Sequence, residues 1–173
     1  MTDPITNAFS KTLKVAIIMG SQSDYPVMVE AQKILDQFAI TNEVKVVSAH
    51  RTPQLMVEFS TTAVNNGFDI IIAGAGGSAH LPGMVASLTT LPVIGVPIES
   101  KTMKGIDSLY SIVQMPAGIP VATMAINGSK NAGLLAIRIL ALNDESIKKQ
   151  LKIFIKNQTQ QVLDNPVPKL EVL

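Results

Sequence analysis

Short hydrophobic runs alternate along the chain with segments whose apolar residues recur at helical spacing. Runs rich in β-branched residues indicate strands, and their alternation with helices is typical of βαβ units. The nearly unbroken hydrophobicity of the runs predicts strands buried on both faces, with helices on either side. The pattern therefore predicts an α/β fold, a three-layer sandwich around a five-stranded parallel sheet. The predicted strands are VAIIM (15–19), VKVVS (44–48), DIIIAG (69–74), PVIGV (92–96) and PVATMAI (120–126).

Apolar residues three and four positions apart predict helices between these strands. The first helix should begin near Asp24, and the second should stop at Gly67. Thr52 followed by Pro53 resembles a capping residue with proline at the first helical position. His80 opens a third helix in the same manner, so each histidine should lie just before a helix.

The later part of the chain predicts three more helices. Two are expected over 105–115 and 130–142, and an amphipathic stripe from Ile147 to Val162 predicts the last. This last helix follows a complete sheet, so it could pack on its own domain or dock on a neighbouring subunit. The sequence leaves both open. The proline-rich tail at 164–173 should run over a surface.

We therefore divide the chain into three parts. We expect residues 1–13 to be a flexible N-terminal segment, 14–143 an α/β domain that carries the functional site, and 144–173 the C-terminal helix and tail.

Composition narrows the kind of ligand. The net charge of +1 provides no overall field that would favour nucleic acid or an anionic membrane. The absence of cysteine excludes a disulfide framework and a thiolate metal site. The N-terminus has no apolar signal region, and no run approaches the ~18 apolar residues of a membrane span. We expect a cytoplasmic protein that holds a small ligand locally.

Both histidines follow predicted strands, in SAHRTP (48–53) and GAGGSAHLPG (74–83). Ligands of open parallel sheets bind outside the carboxyl ends of the strands. Histidine titrates near neutrality, with an ordinary pKa of ~6.5. The two imidazoles are therefore expected at one rim of the sheet.

The loop GSQSD (20–24) has the residues of a phosphate site. Gly20 permits a tight turn, and Ser21 and Ser23 offer hydroxyls beside the free amides of a helix start. Asp24 could then accept hydrogen bonds from sugar hydroxyls. The alternative is that Ser23 or Asp24 is only an N-cap.

SAHRTP supplies a second group of polar residues. Arg51 can grip a phosphate with several donors, and Ser48 adds a hydroxyl. His50, between them, is placed to act as an acid or a base. The alternative is a surface histidine beside a capped helix.

Four glycines within 74–83 predict a backbone that approaches a ligand closely. Gly74, Gly76 and Ala79 also fit a dinucleotide fingerprint, with Glu99 in the place of the ribose-binding acid. The match is on the third strand rather than the first, which argues against it. A metal site made of His50, His80 and Asp24 lacks the close ligand spacing of known metal motifs. The residues thus predict a small phosphorylated ligand and proton transfer by histidine.

Several motifs together resemble the N5-carboxyaminoimidazole ribonucleotide mutases of purine biosynthesis. The resemblance spans roughly residues 14–168 and is specific because long motifs occur in the right order. The motifs are GSQSD, SAHRTP, AGAGGSAHLPGM (73–84), GVP (95–97), DSLYSIVQMPAGIPVAT (107–123) and NAGLLA (131–136).

The resemblance implies a flavodoxin-like sandwich assembled as a homo-octamer, with C-terminal helices that reach neighbouring subunits. It also implies an isomerase that moves a carboxylate from the exocyclic nitrogen of an aminoimidazole ribonucleotide to carbon 4 of the ring. No metal, nucleotide cofactor or biotin is expected.

The resemblance further implies roles for individual residues. His50 matches the general acid/base, Asp24 the ribose contact, and Arg51 the contact to the 5′-phosphate. For His80 we expect a structural hydrogen bond within its own loop, and Ser78 departs from the alanine that many members carry. The implied substrate-binding residues are Ser21, Ser23, Asp24, Ser48, Arg51, Ala75, Gly76, Gly77, His80 and Leu81.

Two other functions share these loops. A related branch of the family carboxylates aminoimidazole ribonucleotide directly with carbon dioxide. A non-catalytic sensor of phosphorylated metabolites would use the phosphate loops and leave His50 without a role.

Overall fold

A computed structural model describes residues 12–167 of the chain. Its strands are β1 (Lys14–Met19), β2 (Thr41–Val46), β3 (Ile70–Gly76), β4 (Val93–Ile98) and β5 (Ala122–Thr123). Its helices are α1 (Tyr25–Gln37), α2 (Pro53–Thr62), α3 (Leu81–Ala86), α4 (Ile106–Val113), α5 (Ser129–Leu140) and α6 (Glu145–Asp164). The strands form one parallel sheet in the order β2-β1-β3-β4-β5. The predicted flavodoxin-like α/β fold with a five-stranded parallel sheet is confirmed.

Two hydrophobic cores, one on each face of the sheet, make the sandwich. Alternate residues of β1 and β3 point to opposite faces, so that Ile17 and Ile72 enter one core while Ile18 and Ile71 enter the other. Helices α1, α5 and α6 cover the first face, and α2, α3 and α4 cover the second. The central strands are therefore buried on both sides, as their hydrophobicity predicts.

The edge strands differ from the prediction. β2 spans 41–46 rather than 44–48, and its residues are half-buried or exposed because it has only one neighbouring strand. The apolar run that predicted it continues into Val47, which is buried beyond the end of the strand. β5 is reduced from 120–126 to two residues. A hydrophobic run therefore locates buried residues, and at the edge strands of the sheet these residues lie partly in the loops.

Two predictions about α2 also need correction. The helix ends at Thr62, and the chain continues in turns to Gly67, whose φ of 78° is left-handed. Thr52 does occupy the N-cap position, with Pro53 next, but its hydroxyl does not cap the helix. The hydroxyl instead accepts from the Ser48 N–H and donates to the Ser48 carbonyl, both at 3.0 Å. It therefore stabilises the loop before the helix.

Gly95 lies in the middle of β4, where α4 comes close to the sheet. A Cβ at this position would lie 2.5 Å from Cγ2 of Ile112 and 2.9 Å from Cγ1 of Val121. Both neighbours are β-branched and have little rotamer freedom. Glycine is therefore required here by packing.

Helix α6 packs on its own domain through its first half. Ile147 and Leu151 are buried, and the rings of Phe154 and Phe38 lie 5.6 Å apart. In the second half, Val162 and Leu163 are exposed at 70% and 64%. The helix thus uses one half for its own core and leaves the other half uncovered in the single chain.

The predicted flexible N-terminal segment and the end of the tail lie largely outside the described residues. Asn165 to Val167, which are described, are exposed and non-helical. Within residues 12–167, none of the helices combines the length and the hydrophobicity that crossing a bilayer demands.

Candidate functional site

A cleft of about 480 Å³ opens at the carboxyl edge of the sheet. It lies at the point where the strand order reverses, between β1 and β3, which is the usual ligand position in open parallel sheets. Loops that follow β2, β1, β3 and β4 form its wall. All the residues predicted from the sequence line it: Ser21, Ser23, Asp24, Ser48, His50, Arg51, Ala75, Gly76, Gly77, His80 and Leu81.

The loop after β1 is closed by a capping box. The Ser21 hydroxyl accepts from the Ser23 N–H at 3.3 Å, and Oδ2 of Asp24 accepts from the Ser21 N–H at 3.0 Å. Ser21 thus caps the short 3-10 turn Gln22–Asp24, and Asp24 occupies the N-cap position of α1 without a capping bond from its side chain. These groups also face the cleft, so capping and ligand contact share the same residues.

Asp24 is a nearly buried carboxyl group in this wall. Its burial raises its pKa above the ordinary value, and the hydrogen bonds from the Ser21 N–H and the Ser23 hydroxyl, together with the charge of Arg51, oppose that rise. The carboxylate thus has donors that hold it in place, and it remains an acceptor for a ligand hydroxyl.

Arg51 joins the loops after β2 and β1. Its Nη2 donates to the Gly20 carbonyl at 2.6 Å, and its Nε donates to the Ser48 hydroxyl at 3.2 Å. These bonds fix the plane of the guanidinium and leave its other donors for a ligand. The arrangement gives the cleft an exposed, oriented cation beside the hydroxyls of Ser21 and Ser23.

The two histidines are hydrogen-bonded to each other. Nε2 of His50 lies 2.8 Å from Nδ1 of His80, and the rings meet edge to face at 89°. The His80 N–H does donate to the Ser78 carbonyl within its own loop at 2.8 Å, but its ring bonds to His50 in the loop after β2, which the sequence did not predict. One ring must donate and the other accept, so each fixes the tautomer of its partner.

The glycine loop after β3 is held by a helix that the sequence did not connect with it. The Gly77 N–H donates to the hydroxyl of Ser108 at 2.8 Å, and that hydroxyl donates to the Ile98 carbonyl at 2.7 Å. Gly77 has a φ of 66°, which favours glycine. Buried Ser108 therefore connects α4, the end of β4 and the cleft wall.

Glu99 and Ser100 also line the cleft, although neither is among the residues predicted for the site. Glu99 matches only the acidic position of a dinucleotide fingerprint in the sequence. Both residues directly follow β4, and the rule that ligands bind beyond the carboxyl ends of strands would have found them.

A metal centre has no support in the described part of the chain. No group of three His, Asp or Glu side chains there is placed to hold an ion. His50 and His80 bond to each other, and Asp24 bonds to its own loop rather than to either histidine. The cleft instead combines an oriented cation, several hydroxyls, a carboxylate and two imidazoles.

The chain is similar to one family of proteins over most of its length. The family model described as AIR carboxylase matches residues 14–161. A protein of Haemophilus influenzae named N5-carboxyaminoimidazole ribonucleotide mutase is 56% identical over 162 residues, which cover 92% of this chain and 99% of that protein. One of the same name from Saccharolobus solfataricus is 59% identical over 150 residues, or 87% of this chain and 95% of that protein.

Solved structures show the same fold. The crystal structure of PurE from Treponema denticola superposes with a TM-score of 0.79 and 30% sequence identity, and the match covers 88% of this chain and 95% of that one. The crystal structure of a substituted PurE2 from the same organism gives a TM-score of 0.81 at 29% identity, over 88% and 94% of the two chains.

Proposed function

This chain belongs to the AIR carboxylase family, and from that membership we propose that it is an isomerase of purine biosynthesis. Its substrate would be N5-carboxyaminoimidazole ribonucleotide, and its product 4-carboxy-5-aminoimidazole ribonucleotide. The observation that carries the proposal is the 56% identity, over nearly the whole of both chains, to a protein named for this mutase activity. The cleft supplies the groups that such a substrate needs.

The phosphate would bind at the Arg51 side of the cleft. Two guanidinium donors are held by Gly20 and Ser48, so the cation is oriented before the ligand arrives. Bidentate contacts from arginine to phosphate are stronger and more specific than a point charge. The hydroxyls of Ser21 and Ser23 lie in the same wall and add donors.

The ribose would contact Asp24. This carboxylate keeps lone pairs free beyond the bond from the Ser21 N–H. A sugar hydroxyl that donates to it would replace water at a largely buried acceptor. Asp24 thus fixes the distance between the phosphate site and the reacting base.

His50 would carry the proton of the reaction. It donates a proton to the exocyclic nitrogen as the carbamate C–N bond breaks and carbon dioxide leaves. Carbon 4 then attacks the retained carbon dioxide, and His50 removes the proton from carbon 4, which restores both the aromatic ring and the imidazolium. The proton count closes over the cycle, and no oxidant or reductant is consumed.

His80 and the glycine loop would support these steps. Once His50 has given up a proton, its hydrogen bond with His80 fixes which nitrogen keeps the remaining one. Ala75, Gly76 and Gly77 let the backbone come close to the base, and Leu81 adds an apolar wall. Neutral carbon dioxide is retained by confinement rather than by charge.

The proposal includes a homo-octamer in the cytoplasm. The uncovered apolar residues in the second half of α6 support contact with a neighbouring subunit. Light scattering on the purified protein tests this directly, with an expected mass eight times the 18.4 kDa of one chain. A monomer in solution would contradict the assembly.

A turnover assay tests the activity. The protein is expected to convert N5-carboxyaminoimidazole ribonucleotide without ATP and in the presence of a metal chelator. The same preparation is then supplied with aminoimidazole ribonucleotide and physiological bicarbonate. Rapid product formation only in the second assay would assign direct carboxylation instead, and binding without turnover in either would identify a sensor.

A further inference from the structure

Glu99 is a second carboxylate of the cleft, and the steps above give it no role. Resting on the proposed function, we infer that Glu99 is a specificity-determining residue that accepts a hydrogen bond from the amino group on the base of the nucleotide.

The order of the strands orders the residues along the cleft. Arg51 follows β2, Asp24 follows β1, the glycine loop follows β3, and Glu99 follows β4. Neighbouring strands lie about 4.8 Å apart, so the ends of β2 and β4 are roughly 14 Å apart. A nucleotide with its phosphate at Arg51 and its ribose at Asp24 therefore extends its base towards the glycine loop and Glu99.

Glu99 is held in the wall from both its backbone and its side chain. Its N–H donates to Oδ1 of Asn127 at 2.9 Å, and Nδ2 of Asn127 donates to Oε2 of Glu99 at 3.2 Å. Asn127 is itself fixed, because its N–H donates to the Pro97 carbonyl at 2.8 Å and its φ is 57°. This reciprocal pair joins the loops after β4 and β5.

The Glu99 carboxylate can accept further hydrogen bonds besides the one from Asn127. An ionised carboxylate has about four lone-pair sites, and Asn127 uses one of them. Glu99 has no salt bridge with any described residue. A carboxylate positioned in this way favours a ligand with an N–H donor. The base of the substrate carries such a donor on its exocyclic nitrogen, whereas the phosphate and ribose are recognised elsewhere in the cleft.

Binding of two probes to variants of the whole protein tests the inference. The probes are 5-aminoimidazole ribonucleotide, which has the amino group, and ribose 5-phosphate, which has no base. We expect Glu99→Ala to weaken the binding of the nucleotide roughly tenfold to hundredfold in calorimetry, the effect of losing one hydrogen bond to a charged group, and to leave the binding of ribose 5-phosphate unchanged. Glu99→Gln keeps an acceptor without the charge and should weaken the nucleotide about threefold.

Two further variants separate this effect from a general one. Asn127→Gly tolerates the positive φ but removes the amide that holds Glu99, so it should weaken the nucleotide selectively and by less than Glu99→Ala. Glu58→Gln removes an exposed carboxylate of α2 outside the cleft and should change neither affinity.

Unchanged affinity for the nucleotide in Glu99→Ala, or equal weakening of both probes, would overturn the inference. Its failure is distinguishable from that of the proposed function. A wild-type protein that binds the nucleotide but catalyses nothing would reject the mutase activity, while the comparison of the two probes would still decide the role of Glu99.

Discussion

Replacing Arg51 with lysine tests whether the geometry of this cation, rather than its charge alone, holds the phosphate. Lysine keeps the positive charge but lacks both Nε–H and the planar arrangement of donors. The bonds from Arg51 to the Ser48 hydroxyl and to the Gly20 carbonyl are then lost together. We expect Arg51→Lys to bind phosphorylated ligands more weakly and to retain the fold.

The size of this effect follows from the contacts. Arginine can present two parallel N–H donors to a phosphate, whereas lysine presents a mobile ammonium group. The loss of one charge-assisted hydrogen bond costs about 1.5–3 kcal/mol. Because about 1.4 kcal/mol corresponds to a factor of ten, the affinity should fall roughly tenfold to hundredfold.

Steady-state kinetics and calorimetry with ribose 5-phosphate give the two readouts. A contact made equally in the ground state and the transition state raises KM and leaves kcat nearly unchanged. Arg138 is the other arginine of the chain and lies exposed on α5, so Arg138→Lys is a matched control that should behave like the wild type. Wild-type affinity of Arg51→Lys for ribose 5-phosphate would refute the assignment of the phosphate to this residue.

Three other variants test how the site is built. Asp24→Asn keeps an acceptor for the Ser21 N–H but cannot ionise. Because burial raises the pKa of Asp24, the wild type should lose stability relative to the variant as the pH rises from about 3.8 through that raised pKa. Urea unfolding at a series of pH values measures this difference in the free energy of unfolding. Ser108→Ala removes the hydroxyl between the Gly77 N–H and the Ile98 carbonyl, so it should lower the free energy of unfolding by about 1–3 kcal/mol and also lower kcat. Gly95→Ala overpacks β4 against Ile112 and should cost about 1–3 kcal/mol in the same unfolding assay, without a change in ligand affinity once folded. Equal unfolding curves for wild type and variant would contradict the corresponding account in each case.

The fold was predictable because its central strands are apolar on both faces. Consecutive residues of β1 and β3 are buried, because helices cover both faces of a parallel sheet. Examples are Ile17, Ile18, Ile71 and Ile72. The edge strand β2 was misplaced because one side of it is open, so its apolar residues mark burial of the following loop rather than pairing. The hydrophobicity of a segment indicates whether it is buried. Which of its residues pair in a sheet depends on neighbouring strands that are distant in sequence.

The site was predictable where its residues follow a strand directly. Ser21, His50 and Gly77 come from separate loops, yet the carboxyl ends of parallel strands bring them to one edge. The bond between His50 and His80 was missed because it joins side chains 30 positions apart, and no local pattern shows how two rings face each other. Ser108 was missed for the same reason, since its partners lie on other elements.

The central claim is that His50 carries the proton between the exocyclic nitrogen and carbon 4. The most direct test is turnover of N5-carboxyaminoimidazole ribonucleotide by His50→Asn, measured beside the binding of 5-aminoimidazole ribonucleotide to the same protein. We predict that turnover falls by about 10²–10⁴-fold, the usual contribution of a general acid/base, while the affinity changes by less than about threefold. Turnover at the wild-type rate in His50→Asn would contradict the mechanism.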